Sequence, residues 1–377
     1  MNSRERVMKA LNHEEPDLVP IDMGSTENTT LTRVAYTNLR KHLGMQEDSR
    51  PFVINRMMDA VYPSEDLLRH YRVDFRPVRP SSTYNPDIRE MPDDSFYDEM
   101  DIRWKKAGHY YDMVENPLRS LSLKEALRAK MPDPKAAGRV EGLRAQAKLI
   151  FERTEYAIVV GHIMWGPFEL GCALRGYDQF LMDLSQDTKY AEALMDRNLE
   201  LATGFWDAYL AEVGDHVQVC AQGDDLGMQT SPIISPDMYR RLIKPRHKKL
   251  FDFIRSKTTA RIFLHSCGSV YDLIPDLIES GVQILSPVQF TAAKMNLESL
   301  KKNFGSELTF WGGGIDTQHF LPRATVGEIA DEISKIFDIM APGGGFVFVP
   351  VHNIQADVAP EKVDAIYKTA LEKRKYD

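Results

Sequence analysis

The chain has 377 residues, 43% of them hydrophobic and 27% charged, with a formal net charge of -8 at pH 7. This is ordinary globular composition with length for one large domain or two modest ones, and the acidic balance leaves no lysine and arginine stripe to neutralise a nucleic-acid backbone. Residues 1–6 lack the apolar stretch of a signal peptide and no later run of about 18 apolar residues can span a bilayer, so a cytoplasmic protein without a membrane partner is expected.

Residues 3–11 predict an amphipathic helix, with Val7, Met8 and Leu11 on its apolar face. After Pro16 and Asp17, residues 18–23 are the first candidate strand. Helices follow around 31–43 and 64–70. Residues 73–78 are the second candidate strand, weakened by Pro77. From 80 to 113 a mixture of proline, aspartate and aromatics (Tyr84, Phe96, Trp104, Tyr110, Tyr111) predicts a loop and hairpin insertion, with 102–104 pairing 109–111.

Beyond Pro134 the pattern alternates. A helix to about 153 leads to a strand at 157–161, then helices at 168–184 and 187–213. Strands at 216–221, 260–264, 282–285, 308–311 and 346–349 are separated by helices at 236–256, 270–280, 296–303 and 326–340, and a helix at 360–373 closes the chain. Such alternation with short connections means parallel strands joined by right-handed crossovers, and eight strands close most naturally into a (β/α)8 barrel. The reading is one domain over 1–377, an α/β (β/α)8 TIM barrel with an N-terminal extension and a hairpin insertion. The alternative is an open doubly wound sheet. Against it, no Gly-x-Gly-x-x-Gly follows the first strand, and Gly312-Gly313-Gly314 comes without the lysine of a phosphate-binding loop. Gly343-Gly344-Gly345, just before a strand, suits a tight turn with positive φ.

Soft and acidic ligands collect at the predicted strand ends, the face of a parallel barrel where chemistry is done. His265 and Cys267 are alternate residues just past a strand, so both side chains fall on one side, and imidazole and thiolate both suit zinc. The competing explanation is a buried thiol beside a hydrogen-bonded histidine. His352, past the last strand, offers a third ligand, unless it only orders the turn 353–355. Asp224, Asp225 or Cys220 can supply a fourth, although Cys220 among Val217, Val219 and Ala221 reads as core packing. Adjacent carboxylates near a barrel centre repel, which raises the pKa of one unless a cation or donor is near. Asp224 and Asp225 can thus hold a metal, bind a substrate cation or relay a proton, or one of them can turn outward to the loop backbone. Further strand-end candidates are His162 with Trp165 and Glu169, and Asp316. Arg76 and Arg79 can meet an anionic substrate or pair at the surface. The three cysteines, an odd number in a long chain, point to reduced thiols.

The motifs Arg4-Glu5-Arg6-Val7, Pro16-Asp17-Leu18-Val19-Pro20, Gly223-Asp224-Asp225-Leu226-Gly227, Val349-Pro350-Val351-His352-Asn353 and Ala359-Pro360-Glu361 resemble those of the uroporphyrinogen decarboxylase superfamily. The resemblance runs through nearly the whole chain and implies a (β/α)8 barrel. The decarboxylases of that superfamily grip substrate carboxylates with an N-terminal Arg-Gln-Ala-Gly-Arg-Tyr segment. Here the stretch is Ile21-Asp22-Met23-Gly24-Ser25-Thr26, with no arginine. The zinc methyltransferases that work with corrinoid proteins carry His-x-Cys and a distant Pro-Gly-Cys. His265-Ser266-Cys267 matches the first, and Pro350-Val351-His352 puts histidine in place of the second cysteine, a substitution zinc accepts. The resemblance implies a methyltransferase with zinc on His265, Cys267 and His352 and an open coordination position. Asp224 or Asp225 would be the acid/base or cation-orienting group. A small methylated donor or a thiol and a corrinoid protein would be the partners. A metal-independent decarboxylase of the same fold and a non-catalytic corrinoid-binding protein are the alternatives.

Overall fold

Runs rich in β-branched and aromatic residues become seven strands of one parallel sheet in a computed structural model that describes residues 1–79, 87–214 and 216–376. They are β1 (Phe75–Pro77), β2 (Ala157–Trp165), β3 (Val219–Gly223), β4 (Arg261–His265), β5 (Ile284–Ser286), β6 (Thr309–Trp311) and β7 (Phe346–Val347), neighbours in space in their chain order. Helices cross between them, as parallel pairing requires. Residue 84 and the rest of 80–86 lie outside the described residues.

Each strand buries both faces. Ala157 and Val159 of β2 join Phe75, Val219, Phe263, Trp311 and Val347 in one apolar cluster, while the alternate residues Ile158 and Val160 pack in the larger cluster under the helices. The smaller cluster marks the inside of a curled sheet. Phe75 on β1 and Trp311 on β6 touch at 4.4 Å between ring centroids, and Phe263 on β4 meets Trp311 at 5.3 Å. Val7 and Leu11 of the helix Ser3–Leu11 enter the same cluster, which stoppers the end of the curl where the strands begin.

The first expected strand, 18–23, is not a regular strand. It makes a single parallel bridge, Ile21 to Phe348. The amide of Phe348 donates to Pro20 O at 2.9 Å and that of Asp22 to Phe348 O at 2.9 Å, while Asp74 N donates to Ile21 O at 3.0 Å. The segment thereby hydrogen-bonds both to the β7 side and to the residue preceding β1. The ladder stays short because the Ile21 amide is taken by the Asp74 carboxylate at 3.0 Å and Pro20 has no amide hydrogen.

The insertion is a four-stranded antiparallel sheet whose long hairpin pairs Arg103–Ala107 with Tyr110–Glu115. Among the described residues no helix is long and apolar enough to cross a membrane. The glycine triplet before β7 turns as its sequence suggests, with φ of +76°, +71° and +65° at Gly343, Gly344 and Gly345. A β-carbon on Gly344 would lie 2.4 Å from Glu14 O, whereas one on Gly343 would meet nothing within 4 Å. Both alanine variants bear the left-handed penalty of about 1–2 kcal/mol. Gly344→Ala should therefore melt clearly below Gly343→Ala, and equal melting temperatures would disprove this account of the turn.

Candidate metal centre at the strand ends

The C-terminal ends of β2, β3 and β4, the hairpin and the N-terminal segment around Glu27 and Asn28 enclose a cavity of about 350 Å³. Trp104, Tyr110, Tyr111 and Met113 of the hairpin face Met164 and Trp165 of β2, so its walls are mostly apolar. On its floor stand His162, Glu169, Asp225, His265, Cys267 and His352. Among the described residues that line it there is no lysine or arginine.

His265 is the last residue of β4, and Cys267 follows in the segment that leaves it, bringing Cys267 Sγ to 3.4 Å from His265 Nε2. His352 comes from the loop after β7, where its Nδ1 lies 2.6 Å from Asn353 Oδ1. Asn353 Oδ1 also accepts from Tyr110 Oη at 2.8 Å and from Gln355 Nε2 at 2.9 Å, fixing the loop against the hairpin. One ligand atom from each of His265, Cys267 and His352 lies within 4.8 Å of the others. The structure thus brings these three side chains together.

Burial drives the His265 imidazole well below its ordinary pKa, with His162 and His352 adding to the shift, and burial also lowers His352. Both rings are therefore neutral, and the Asn28 amide nitrogen stands 3.2 Å from His265 Nδ1 and 3.1 Å from its Nε2. Burial, then the charges of Asp225 and Glu169, hold the Cys267 thiol well above its usual range. A cation bound there would reverse that and release its proton. Two buried atoms in these surroundings, Asn28 Oδ1 and His162 Nε2, have no hydrogen-bond partner among the described residues. Orphans of this kind mark places where a ligand, ion or water belongs. Donor chemistry, spacing and orphaned atoms fit zinc held by two imidazoles and a thiolate.

The two adjacent aspartates part company. Asp225 faces the cavity, with its Oδ1 accepting from the Cys267 amide at 2.8 Å and standing 3.8 Å from His265 Nε2. Burial pushes its carboxyl up to about 6, the Cys267 amide opposing and Asp224 adding to the rise. Beside it Glu169, bonded by the Asp225 amide at 3.2 Å, is raised well above its ordinary value by burial and by both aspartates. Asp224 instead is fully buried behind the cavity. Its carboxylate accepts from the amides of Phe168 at 3.2 Å and Glu169 at 2.6 Å, in the first turn of the helix Pro167–Arg175, and pairs with His247 Nε2 at 2.8 Å. His247 in turn meets Tyr239 Oη at 3.0 Å. Tyr239 opens a π-helical turn, Tyr239–Ile243, that no sequence pattern announced.

The remaining candidates lie apart from the cavity. Cys220 packs in the core between sheet and helices. Asp316 accepts from the amides of Gln318, His319 and Phe320 and braces its own loop. Arg76 is bound to Glu65 at 2.7 Å, and the Arg79 guanidinium lies 5.2 Å from the Tyr62 ring centroid. Glu27, Asn28 and the hairpin side chains, absent from the sequence-derived site, belong to it. The polar run 25–30 directly after the first apolar segment was the available signal.

The sequence profile of the uroporphyrinogen decarboxylase (URO-D) family matches residues 100–372. Among solved structures the chain is similar to a methyltransferase from Methanosarcina mazei, at 20% identity and a TM-score of 0.66, over 99% of each chain. It also aligns with the carboxyl transferase domain of Rhizobium etli pyruvate carboxylase at 15% identity, over 62% of this chain and 27% of that one, with a TM-score of 0.21. No curated protein sequence matches.

Proposed function

This chain belongs to the uroporphyrinogen decarboxylase (URO-D) family, and we propose that within it the protein is a zinc-dependent methyltransferase that moves a methyl group between a small methylated substrate or thiol and a corrinoid protein. The observation that carries this reading is the His265, Cys267 and His352 cluster, with ligand atoms within 4.8 Å, in a cavity whose walls are mostly apolar. Bound there, zinc supplies a Lewis acid that activates a thiol or polarises a methyl donor. Asp225, whose Oδ1 stands 3.8 Å from His265 Nε2 on the cavity side, is the group that takes or returns the substrate's proton. Asp224 acts on the reaction only through position, by seating the helix that carries Glu169. The methionine and aromatic walls make the surroundings of the reacting groups mostly apolar.

A decarboxylase acting on a tetracarboxylate ring is disfavoured by charge. Glu27, Glu169 and Asp225 line the cavity, and none of the described lining residues is cationic. The scaffold in this reading is a complete (β/α)8 barrel, with 20–22 as the eighth staves' link between β7 and β1, acting in the cytoplasm where Cys267 stays reduced. The test is to incubate zinc-loaded protein with methylcobalamin and a panel of small thiols and follow loss of the methyl–cobalt absorbance. Thiol-dependent loss at about 10–100 times the rate of Cys267→Ala is expected. Carbon dioxide release from a carboxylated pyrrole by metal-stripped protein would select the decarboxylase instead, and corrinoid binding without turnover would select the binding protein.

A further inference from the structure

A third imidazole stands beside the cluster. His162 lies within β2 at φ +48°, a left-handed conformation uncommon for a residue with a β-carbon. It falls where the strand bulges, since Gly161 is level with Ala221 but Trp165 is level with Gly223, so four steps of β2 face two of β3. Bulges next to active sites re-aim a side chain. This one turns His162 into the cavity beside His265.

The ring is held at one nitrogen and bare at the other. Nδ1 is 3.1 Å from Glu27 Oε2, and Nε2 is buried without a hydrogen-bond partner among the described residues. A carboxylate on one ring nitrogen with a free lone pair on the other is the arrangement of a metal-ligating histidine. The His162 and His265 centroids are 5.3 Å apart, closer than the 6.2 Å between His265 and His352. Two imidazoles bound at about 2 Å to one tetrahedral ion stand roughly 5 Å apart by the same measure.

We propose that His162 is a fourth protein ligand of the metal held by His265, Cys267 and His352, so that the resting site has three imidazoles and one thiolate and an incoming substrate displaces His162. This rests on the zinc reading above and deepens it. His162 is the ligand suited to leave, because it stands outside the 4.8 Å cluster and its backbone is held in a costly conformation.

The experiment loads full-length protein with Zn2+ for affinity by chelator competition and with Co2+ for its visible absorption. His162→Gln is expected to weaken Zn2+ binding about 10–100-fold and to shift the Co2+ bands, and Glu27→Gln, which keeps the imidazole but removes its orienting carboxylate, to weaken Zn2+ in the same direction by less. Unchanged affinity and spectrum in folded His162→Gln, with wild type binding both ions, would overturn this proposal alone. Wild-type protein that binds neither ion would overturn it together with the zinc reading. Where His162→Gln fails to fold, Glu27→Gln decides: weakened Zn2+ binding supports the role, and unchanged binding removes it.

Discussion

Cys267→Ala is expected to purify with less than about a tenth of the zinc of the wild type, which should carry about one ion per chain, as a single catalytic site does. The loss is large because Cys267 brings the one thiolate, and its charge offsets that of the ion in a cavity where both imidazoles are neutral donors. The scaffold should survive. Cys267 is half-buried at the cavity surface, and its backbone contacts, the amide to Asp225 and the carbonyl beside Gly227, do not depend on the sulfur. Elemental analysis beside a melting curve separates the two effects. A Cys267→Ala chain that melts like wild type and retains a full complement of zinc would remove Cys267 from the site.

Asp224→Ala is expected to be the most destabilising single change around the site, by about 3–5 kcal/mol, because it takes the acceptor from the buried His247 ring and each buried donor left bare costs about 1–3 kcal/mol. His247 and Asp224 are both fully shielded from solvent, and the substitution also strips two amides at the start of the helix Pro167–Arg175 of their acceptor. Asp224→Asn should recover part of the loss, since an amide oxygen still accepts from the helix. An independent route to the same spot is Gly166→Ala, whose β-carbon would lie 2.3 Å from Asp224 Cγ. Overpacking of this kind costs about 1–3 kcal/mol. Gly327→Ala is the control, with open space around its β-carbon and a helical position where alanine gains up to about 1 kcal/mol. Urea unfolding should rank Asp224→Ala below Gly166→Ala, below wild type, at or below Gly327→Ala. If Asp224→Ala were as stable as wild type yet inactive, Asp224 would belong to the chemistry and not to the frame.

The parallel strands after 150 were legible because each is a short apolar run between helices of 3.6 periodicity, and each recurs in the structure within a few residues. His265, Cys267 and Asp225 were legible for a related reason, since a strand end fixes where the next two side chains can go. His352 follows the same logic across a longer loop. Asp224 and Asp225 were not told apart by this reasoning. Adjacent residues on an extended chain point to opposite sides, so only one of Asp224 and Asp225 can face the cavity, and the choice depends on the bare amides of a helix supplied 56 residues earlier. His162 was a candidate only as one strand-end polar group among several. What singles it out is a bulge and a positive φ, which depend on pairing between strands. Residues 18–23 carried a strand pattern, but the ladder they form is interrupted where Asp74 supplies a side-chain acceptor in place of a backbone one.

The hydroxyl of Tyr110 is shared by Asn353 and by Gln355, at 2.8 and 2.6 Å, and so fastens the hairpin to the stretch that bears His352. A substitution that unseats the hairpin must therefore tug on that stretch as well. The posture of one imidazole of the cluster is thereby tied to the seating of the hairpin through a single phenol.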